Sequence, residues 1–589
     1  MSGGNVARAD PAGPVFRLRR RRRPTAPRTF VRALNRSDRR AVTALSVGWA
    51  TSFIWFWTWW LSPGHSAGWP GLVMNSSLLL YLTVTPAYFL IAALRLRRVD
   101  PRLAVPRLRV AFVVTRAPSE PWAVVRPTLE AMLHQDLSLR YDVWLCDEAP
   151  DDGILAWCRE HGVRVSCREG VPEYHRATWP RRTRCKEGNL AYFYDHWGYR
   201  DYDVVAQLDC DHVPGRGYLT AVVRPFADAA VGYVAAPSVC DANSAVSWAA
   251  RGRLHREATT HGPLQMGLNG GLGPVCIGSH YAVRTTALRE IGGLGPELAE
   301  DFSTTFLLSS AGWHGAFAVE AEAHGDGPLT FADMLTQEFQ WSRSLTVLLY
   351  ELMPHHLHRL DLALRLRFGY ALAYYPLLAL TTVVGLTLPP VAAVTGVPWV
   401  DVNYFAFLAH VSVLPIWFLL LAALLRRRGL LRPPSAPIFS WEGALFTLTR
   451  WPYVVWGIAA AIMQIALRRP TTFKVTPKVR GGLERMSVRL VAPYLAITAV
   501  MAVAAIAGQA STTAAGYVFL CILAGLGYGV VTVAVCVLHI VESARTARVS
   551  VMDAISTGSR PLLAGLVALA PLSFAAAQYP SYAARAFGW

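Results

Sequence analysis

The placement of the apolar stretches restricts this chain more than any other feature. Residues 41–61 and 72–94 are apolar segments long enough to span a bilayer, joined by the short turn SPGHSAGWP. From about residue 110 to residue 349 the hydropathy is that of a globular domain. Apolar segments return at 368–400 (interrupted by Pro389-Pro390), 404–425, 441–467, 490–508 and 516–541. Lipid tolerates only backbones that satisfy their own hydrogen bonds. The order therefore predicts a polar α/β domain inserted into an α-helical multi-pass membrane domain.

Basic residues mark one side of the membrane. The segment 95–109 is basic again after the first hairpin, which places the polar domain on the cytosolic side. Trp55, Trp57, Trp59, Trp60 and Trp69 crowd the opposite end, as an aromatic belt would. Arg426-Arg427-Arg428 precede the stretch 441–467 and Arg468-Arg469 follow it, and a single crossing cannot keep both on one side. At least part of that stretch is expected to be interfacial or re-entrant, with a kink at Pro452. The stretch 562–577 is short for a span and its role is open. No internal repeat is visible.

The net charge of +18 is unevenly placed, with twelve arginines against two aspartates in residues 1–40. That tail, poor in apolar residues, is expected to be disordered. Beside a hydrophobic segment it suits anionic lipid rather than nucleic acid, so a nucleic-acid partner is not expected. A hydrophobic share of 53% with 20 tryptophans excludes an ordinary soluble enzyme. The nine cysteines form no CxxC pair, and seven lie in the polar block, a pattern of reduced cytosolic thiols. No cleavable signal peptide is read, because the arginine run is long and no small-residue cleavage site follows it.

Inside the polar block, RVAFVVT, YDVWLCD, VRVSC, YDVVAQLD and VGYVAAP are short β-branched runs, with helical stretches at 124–134 and 187–197 between them. Strands alternating with helices predict a mostly parallel sheet with its site at the strands' carboxyl ends. The run VVAQLDCDHVP ends in Asp209 and Asp211. Residues two apart on a strand point the same way, so both carboxylates can reach one hard divalent cation.

The motifs from about 113 to 478 together resemble, in order, the family 2 processive glycosyltransferases, the cellulose synthases in particular. TRAPSEP at 115–121 is similar to the family's first strand-end signature. Asp147 stands where the family's first aspartate contacts uridine, with Glu148 as the alternative. Lys186 opens KEGNL, similar to the KAGNLN box, and an ammonium there opposes diphosphate charge. LDCDHVP resembles the DxD motif, which implies that Asp209 and Asp211 bind nucleotide and Mg2+ or Mn2+. The stretch 276–301 resembles the acceptor-side segment ending in TED. It implies Asp301 as general base, taking the proton of the attacking hydroxyl, with Ala299 replacing the threonine.

QEFQW at 337–341 stands for QxxRW. The resemblance implies Gln337 near the diphosphate and Trp341 as the floor under the acceptor sugar. Gln340 replaces the motif arginine, and Arg343 follows at the family's spacing. FKVTPK at 473–478 resembles the FxVTxK gating loop, which implies Thr476 and Lys478 over the donor nucleotide as a lid.

The resemblance implies a GT-A-like fold in a bacterial plasma membrane. Its domains are a tail (1–40), a transmembrane hairpin (41–94), the glycosyltransferase domain (107–350), interface and membrane helices (351–467), a gating loop (468–489), a second hairpin (490–541) and a C-terminal tail (542–589). It implies inverting, processive transfer of glucose from UDP-glucose to a β-1,4-glucan exported through a channel. The rivals are a chitin- or hyaluronan-like synthase using UDP-N-acetylglucosamine, and a non-catalytic envelope scaffold. Partners implied are the UDP-sugar, the growing polysaccharide, membrane lipids and a periplasmic or envelope protein. Only 48 residues follow Val541, too few for the cyclic-di-GMP-binding barrel of many such synthases, so direct control by cyclic di-GMP is not expected.

Overall fold

The computed structural model describes residues 29–467 and 483–587. Order begins earlier than the sequence suggests. Phe30–Arg32 pairs antiparallel with Arg97–Val99, and helix α1 (Arg36–Trp60) starts where the Asn35 side chain accepts the Asp38 N–H. The tail expected to be disordered through residue 40 therefore gives way to structure by Phe30. Pairing with a strand about 65 residues further along the same chain supplies backbone partners that no local pattern announces.

The second apolar segment is not continuous. It forms α2 (Trp69–Val84) and α3 (Ala87–Leu94), separated at Pro86. Trp57 Nε1–H donates to Thr83 at 3.2 Å and Trp60 Nε1–H to Ser76 at 2.8 Å. These bonds fasten α1 to α2 by giving the two indoles, of which Trp60 is buried, the acceptors they need.

All five expected strands are present in a seven-stranded sheet. In chain order these are β1 (Val110–Arg116), β2 (Tyr141–Asp147), β3 (Arg164–Ser166), β4 (Val204–Asp209), β5 (Val231–Ala235), β6 (His280–Arg284) and β7 (His314–Phe317). Across the sheet they run β7-β5-β6-β4-β1-β2-β3. Only β6 is antiparallel, to both neighbours. Val110, Phe112 and Val114 enter one buried cluster while Ala111 and Val113 enter another on the opposite face. That is why the strands read as unbroken apolar runs. Truncating fully buried Phe112 to alanine is expected to cost about 3–5 kcal/mol.

Register places the site. Thr115 on β1 is opposite Asp209 on β4, and Arg116 is opposite Asp147 on β2. The acidic residues that end these runs thus share one edge of the sheet.

Helices frame that edge: α4 (Lys186–Phe193), α5 (Trp248–Glu257), α6 (Glu300–Ser310) and α7 (Phe331–Val347). They are followed by α8 (Leu362–Thr395), α9 (Tyr404–Arg427), α10 (Trp441–Leu467), α11 (Val488–Gly508), α12 (Ala515–Ala547) and α13 (Ser559–Phe587). Seven described helices are long and apolar enough to cross a membrane: the α2–α3 segment and α8 to α13. The chain is a multi-pass membrane protein. Helix α1, carrying five tryptophans, is not among the seven.

Three membrane expectations change. Helix α8 runs through Pro389-Pro390 and stops instead at Gly396, whose φ of 69° suits only a glycine-like C-terminal cap. Helix α10 is one 27-residue helix that packs along α7 and α5 of the polar block. It buries Glu442, Thr449 and Arg450 there, which explains its mixed sequence. The short stretch at 562–577 is the middle of α13, packed on α11 and α12.

Candidate active site

Lys186, first residue of α4, reaches the sheet edge. Its Nζ donates to Asp209 Oδ1 at 2.7 Å and to the Gly278 carbonyl at 2.6 Å. The rest of KEGNL is structural. Glu187 accepts the N–H groups of Arg181 and Arg182, and Asn189 donates to the Cys146 carbonyl at 2.9 Å. A Cβ on Gly188 would lie 2.2 Å from the Arg182 carbonyl oxygen, so only glycine fits.

Asp209, Asp211 and His212 bring one ligand atom each within 4.8 Å of one another. Two carboxylates and an imidazole at this spacing fit a divalent cation such as Mg2+ or Mn2+. His212, not singled out from the sequence, faces Asp211 through Nδ1 at 3.2 Å and Ser238 through Nε2 at 3.2 Å.

Asp301 sits in the first turn of α6, where its Oδ1 accepts the Phe302 N–H at 2.7 Å. The helix N-terminus favours a carboxylate there. Ala299 is the N-cap residue and supplies no side-chain bond. Gly278 lets the carboxylate approach, since a Cβ at that position would stand 3.3 Å from Asp301 Oδ2. Gly278 therefore has Lys186 on its carbonyl and Asp301 against its Cα.

Burial pushes the Asp301 carboxyl above the ordinary range, against the pull of nearby N–H groups and Lys186. Burial also raises neighbouring Glu300, reinforced by the Asp301 charge. Lys186 stays charged: its own burial works against the proton, but Asp209 and Glu300 more than offset it.

Asp147 is fully buried and bound by Arg116, whose Nη1 lies 2.8 Å from Oδ2. It also accepts the Ala149 N–H at 3.0 Å. Glu148 is held by the buried Arg168. Arg116 in turn donates to the Glu120 carbonyl, while the Glu120 side chain accepts the Ala117 N–H. The TRAPSEP turn therefore clamps Asp147 at the strand end.

Gln337 and Trp341 lie on α7, one turn apart on the same face. A residue that the sequence reading passed over touches both of them. Arg253 on α5 lays its guanidinium over the Trp341 ring, 4.8 Å from the centroid, and its Nη1 is 3.5 Å from Gln337 Oε1. Arg343 does not join them; it lies over Phe339 at 5.6 Å. Nothing in WAARGRLHRE marks Arg253 beyond its position on the same helical face as Glu257. Ser344, one turn after Trp341, accepts the Ala299 N–H at 3.0 Å and so ties α7 to the start of α6. Thr476 and Lys478 of the expected gating loop lie outside the described residues.

Residues 204–426 match the family model described as Glycosyl transferase family group 2. The matched residues begin at β4 and end in α9, and the register of β1 with β4 extends the same sheet N-terminally beyond them. A cellulose synthase catalytic subunit (UDP-forming) from Xanthomonas axonopodis pv. citri (strain 306) is 26% identical over 234 residues. That match covers 38% of this chain and about a third (30%) of the relative's length. Among solved structures, a mannosyltransferase from Pyrobaculum calidifontis in complex with GDP-Man and Mn2+ aligns at 16% identity and a TM-score of 0.41, covering 65% of this chain and 98% of that one. A glucosyl-3-phosphoglycerate synthase from Mycobacterium tuberculosis aligns at 15% identity and a TM-score of 0.28, covering 42% and 80%.

Proposed function

From a family 2 glycosyltransferase domain set among membrane helices, we propose that this chain is an inverting, processive glycosyltransferase. It takes glucose from UDP-glucose, extends a β-1,4-linked, cellulose-like glucan on the cytosolic face of a bacterial plasma membrane, and passes the product across through its helices. The observation that carries the reading is the convergence of Lys186, Asp209, Asp211, His212 and half-buried Asp301 on one sheet edge. The likeness to a UDP-forming cellulose synthase subunit supports UDP-glucose as donor.

Asp209, Asp211 and His212 would hold Mg2+ or Mn2+, which when bound supplies Lewis-acid neutralisation of a leaving diphosphate. Lys186 holds Asp209 in place and carries a charge that can face the same phosphates. Asp147 borders the site at the end of β2, where it can meet the uridine. Asp301 accepts the proton of the acceptor hydroxyl, and the basicity that its partial desolvation raises suits that task. From α7, Trp341 offers an indole surface to the acceptor pyranose, and Gln337, one turn earlier, would hydrogen-bond near the diphosphate. Thr476 and Lys478 belong to the loop that would close over the donor.

Membranes containing the protein are offered radiolabelled UDP-glucose or UDP-N-acetylglucosamine, each with Mg2+ or Mn2+. Cellulase-sensitive polymer from UDP-glucose, absent in Asp301→Asn, is the expected result. Product from the amino sugar alone would overturn the glucan assignment, and absence of product from either with intact UDP binding would overturn polymer synthesis by this chain alone.

A further inference from the structure

The junction between the polar block and the membrane helices holds more positive charge than it neutralises. Arg253 and Arg256 on α5 and Arg450 on α10 face two carboxylates, Glu257 and Glu338. Arg253 Nε lies 3.2 Å from Glu257, Arg256 lies 3.7 Å from Glu257 and 4.0 Å from Glu338, and Arg450 lies 3.1 Å from Glu338. His261 adds an imidazole 3.3 Å from Glu257. Three guanidiniums against two carboxylates leave one cation over, in a region where Glu338 and Arg450 are 1% and 2% exposed. An uncompensated charge in such surroundings is costly unless an anion meets it.

The geometry indicates where that anion belongs. Arg253 uses Nε on Glu257 and Nη1 on Gln337, which leaves Nη2 without a protein partner among the described residues. Its plane is fixed by the Trp341 ring beneath it. Cys240, a neighbour of Arg253 on its other side, begins a chain of polar contacts that leads back to the cation-binding carboxylates. Cys240 Sγ lies 3.5 Å from Ser238 Oγ, which is 3.2 Å from His212 Nε2, and His212 Nδ1 is 3.2 Å from Asp211. Arg253 thus bridges the metal-capable edge and the QEFQW helix, the side on which Gln340 leaves the motif without a cation.

We propose that Arg253 is the donor-positioning residue for the diphosphate: its free Nη2 face contacts the phosphate oxygens of the UDP-sugar, replacing from α5 the charge that α7 lacks at Gln340. This inference rests on the proposed UDP-sugar reading. A guanidinium suits the role because it stays charged when buried, and its planar fork matches phosphate oxygens while the ring supports its face. The same position sets the acceptor's place. A pyranose on Trp341 must share the indole with Arg253, so the acceptor sugar and the charge that holds the donor's phosphates are registered on one ring.

The test measures binding and turnover separately, on the full-length protein in nanodiscs. UDP affinity in the presence of Mn2+ and UDP-glucose turnover are recorded for the wild type, Arg253→Gln, Arg253→Lys and the double variant Arg253→Gln with Gln340→Arg, and thermal unfolding of each checks the fold. Loss of a charge-assisted hydrogen bond predicts that Arg253→Gln weakens UDP binding about 10-fold or more and raises the KM for UDP-glucose in step. Arg253→Lys retains part of the affinity, and moving the guanidinium to residue 340 restores part of it, which a merely structural role would not allow.

UDP affinity within about twofold of wild type in Arg253→Gln would overturn the proposal, as would lost turnover with unchanged UDP affinity, the signature of an acceptor-side role. Affinity lost in Arg253→Gln and restored by neither other variant would also overturn it. A wild type that binds no UDP would refute the UDP-sugar reading itself, a result distinct from all of these.

Discussion

The sheet edge and the membrane junction solve the same problem, placing charge away from water, in opposite ways. At the edge each group is met at the end of a strand or in the first turn of a helix. Lys186 meets Asp209, Arg116 meets Asp147, and Asp301 meets the Phe302 N–H. At the junction, Arg253, Glu338 and Arg450 come from three helices, and Tyr374 on α8 adds a hydroxyl that accepts from Arg450. The edge is built by strand register, whereas the junction exists only once α10 lies along α7 and α5. A substitution at the edge is therefore expected to act on chemistry, and one at the junction on the union of the two domains.

The largest effect expected is on chemistry. Asp301→Asn keeps the shape of the side chain and removes the proposed base, so sugar transfer should fall about 10²- to 10⁴-fold with little change in thermal unfolding. A variant that is inactive because it is unfolded would erase the contrast with the junction. The converse is Arg450→Leu, which strands buried Glu338. It is expected to destabilise the protein by about 3–5 kcal/mol in thermal or denaturant unfolding. Adding Glu338→Leu should return most of that loss, since removing both charges removes the unpaired one.

A smaller effect lies where the regions meet. Ser344→Ala leaves the Ala299 N–H without its acceptor, at a cost of about 1–3 kcal/mol. Because Ala299 precedes Asp301, kcat should fall together with stability; a change in stability alone would mean that the two regions act independently.

The last test is of pH. Burial raises the Asp301 and Glu300 carboxyls, and the base works only when ionised. The acid limb of kcat/KM should therefore lie above the ordinary carboxylate range. For stability the sign is opposite to that of a salt-bridged carboxylate. The folded state holds these protons more tightly than the unfolded chain, so their contribution is greatest at acid pH and is lost as pH rises through the raised values.

Much of the edge was legible in the sequence because strand-end chemistry is local. YDVWLCD and VVAQLD carry their acidic residues at the end of an apolar run, and a parallel register brings such ends into line. The glycine of KEGNL and Gly278 in CIGSH mark where backbones and carboxylates come close. The junction was not legible, since Arg253 has no neighbour in sequence that announces Trp341. For the same reason α10 looked anomalous with basic residues at both ends, and its packing surface on α5 and α7 was invisible. Proline and small residues concealed the full length of α13, and the arginines before α1 concealed the strand at Phe30–Arg32.

The amino-acid order by itself determined the alternation of membrane helices and polar sheet, the strands, and the carboxylates at their ends. These follow from hydropathy and from a period of two or 3.6 residues, properties that each segment carries alone. Tertiary structure decided which charges meet: the clamp of Arg116 on Asp147, the approach of Asp301 to Gly278, and the placing of Arg253 over Trp341. Those pairings depend on where distant helices come to rest, because a buried charge is stabilised by whatever partner the packing delivers, and no local pattern encodes that partner.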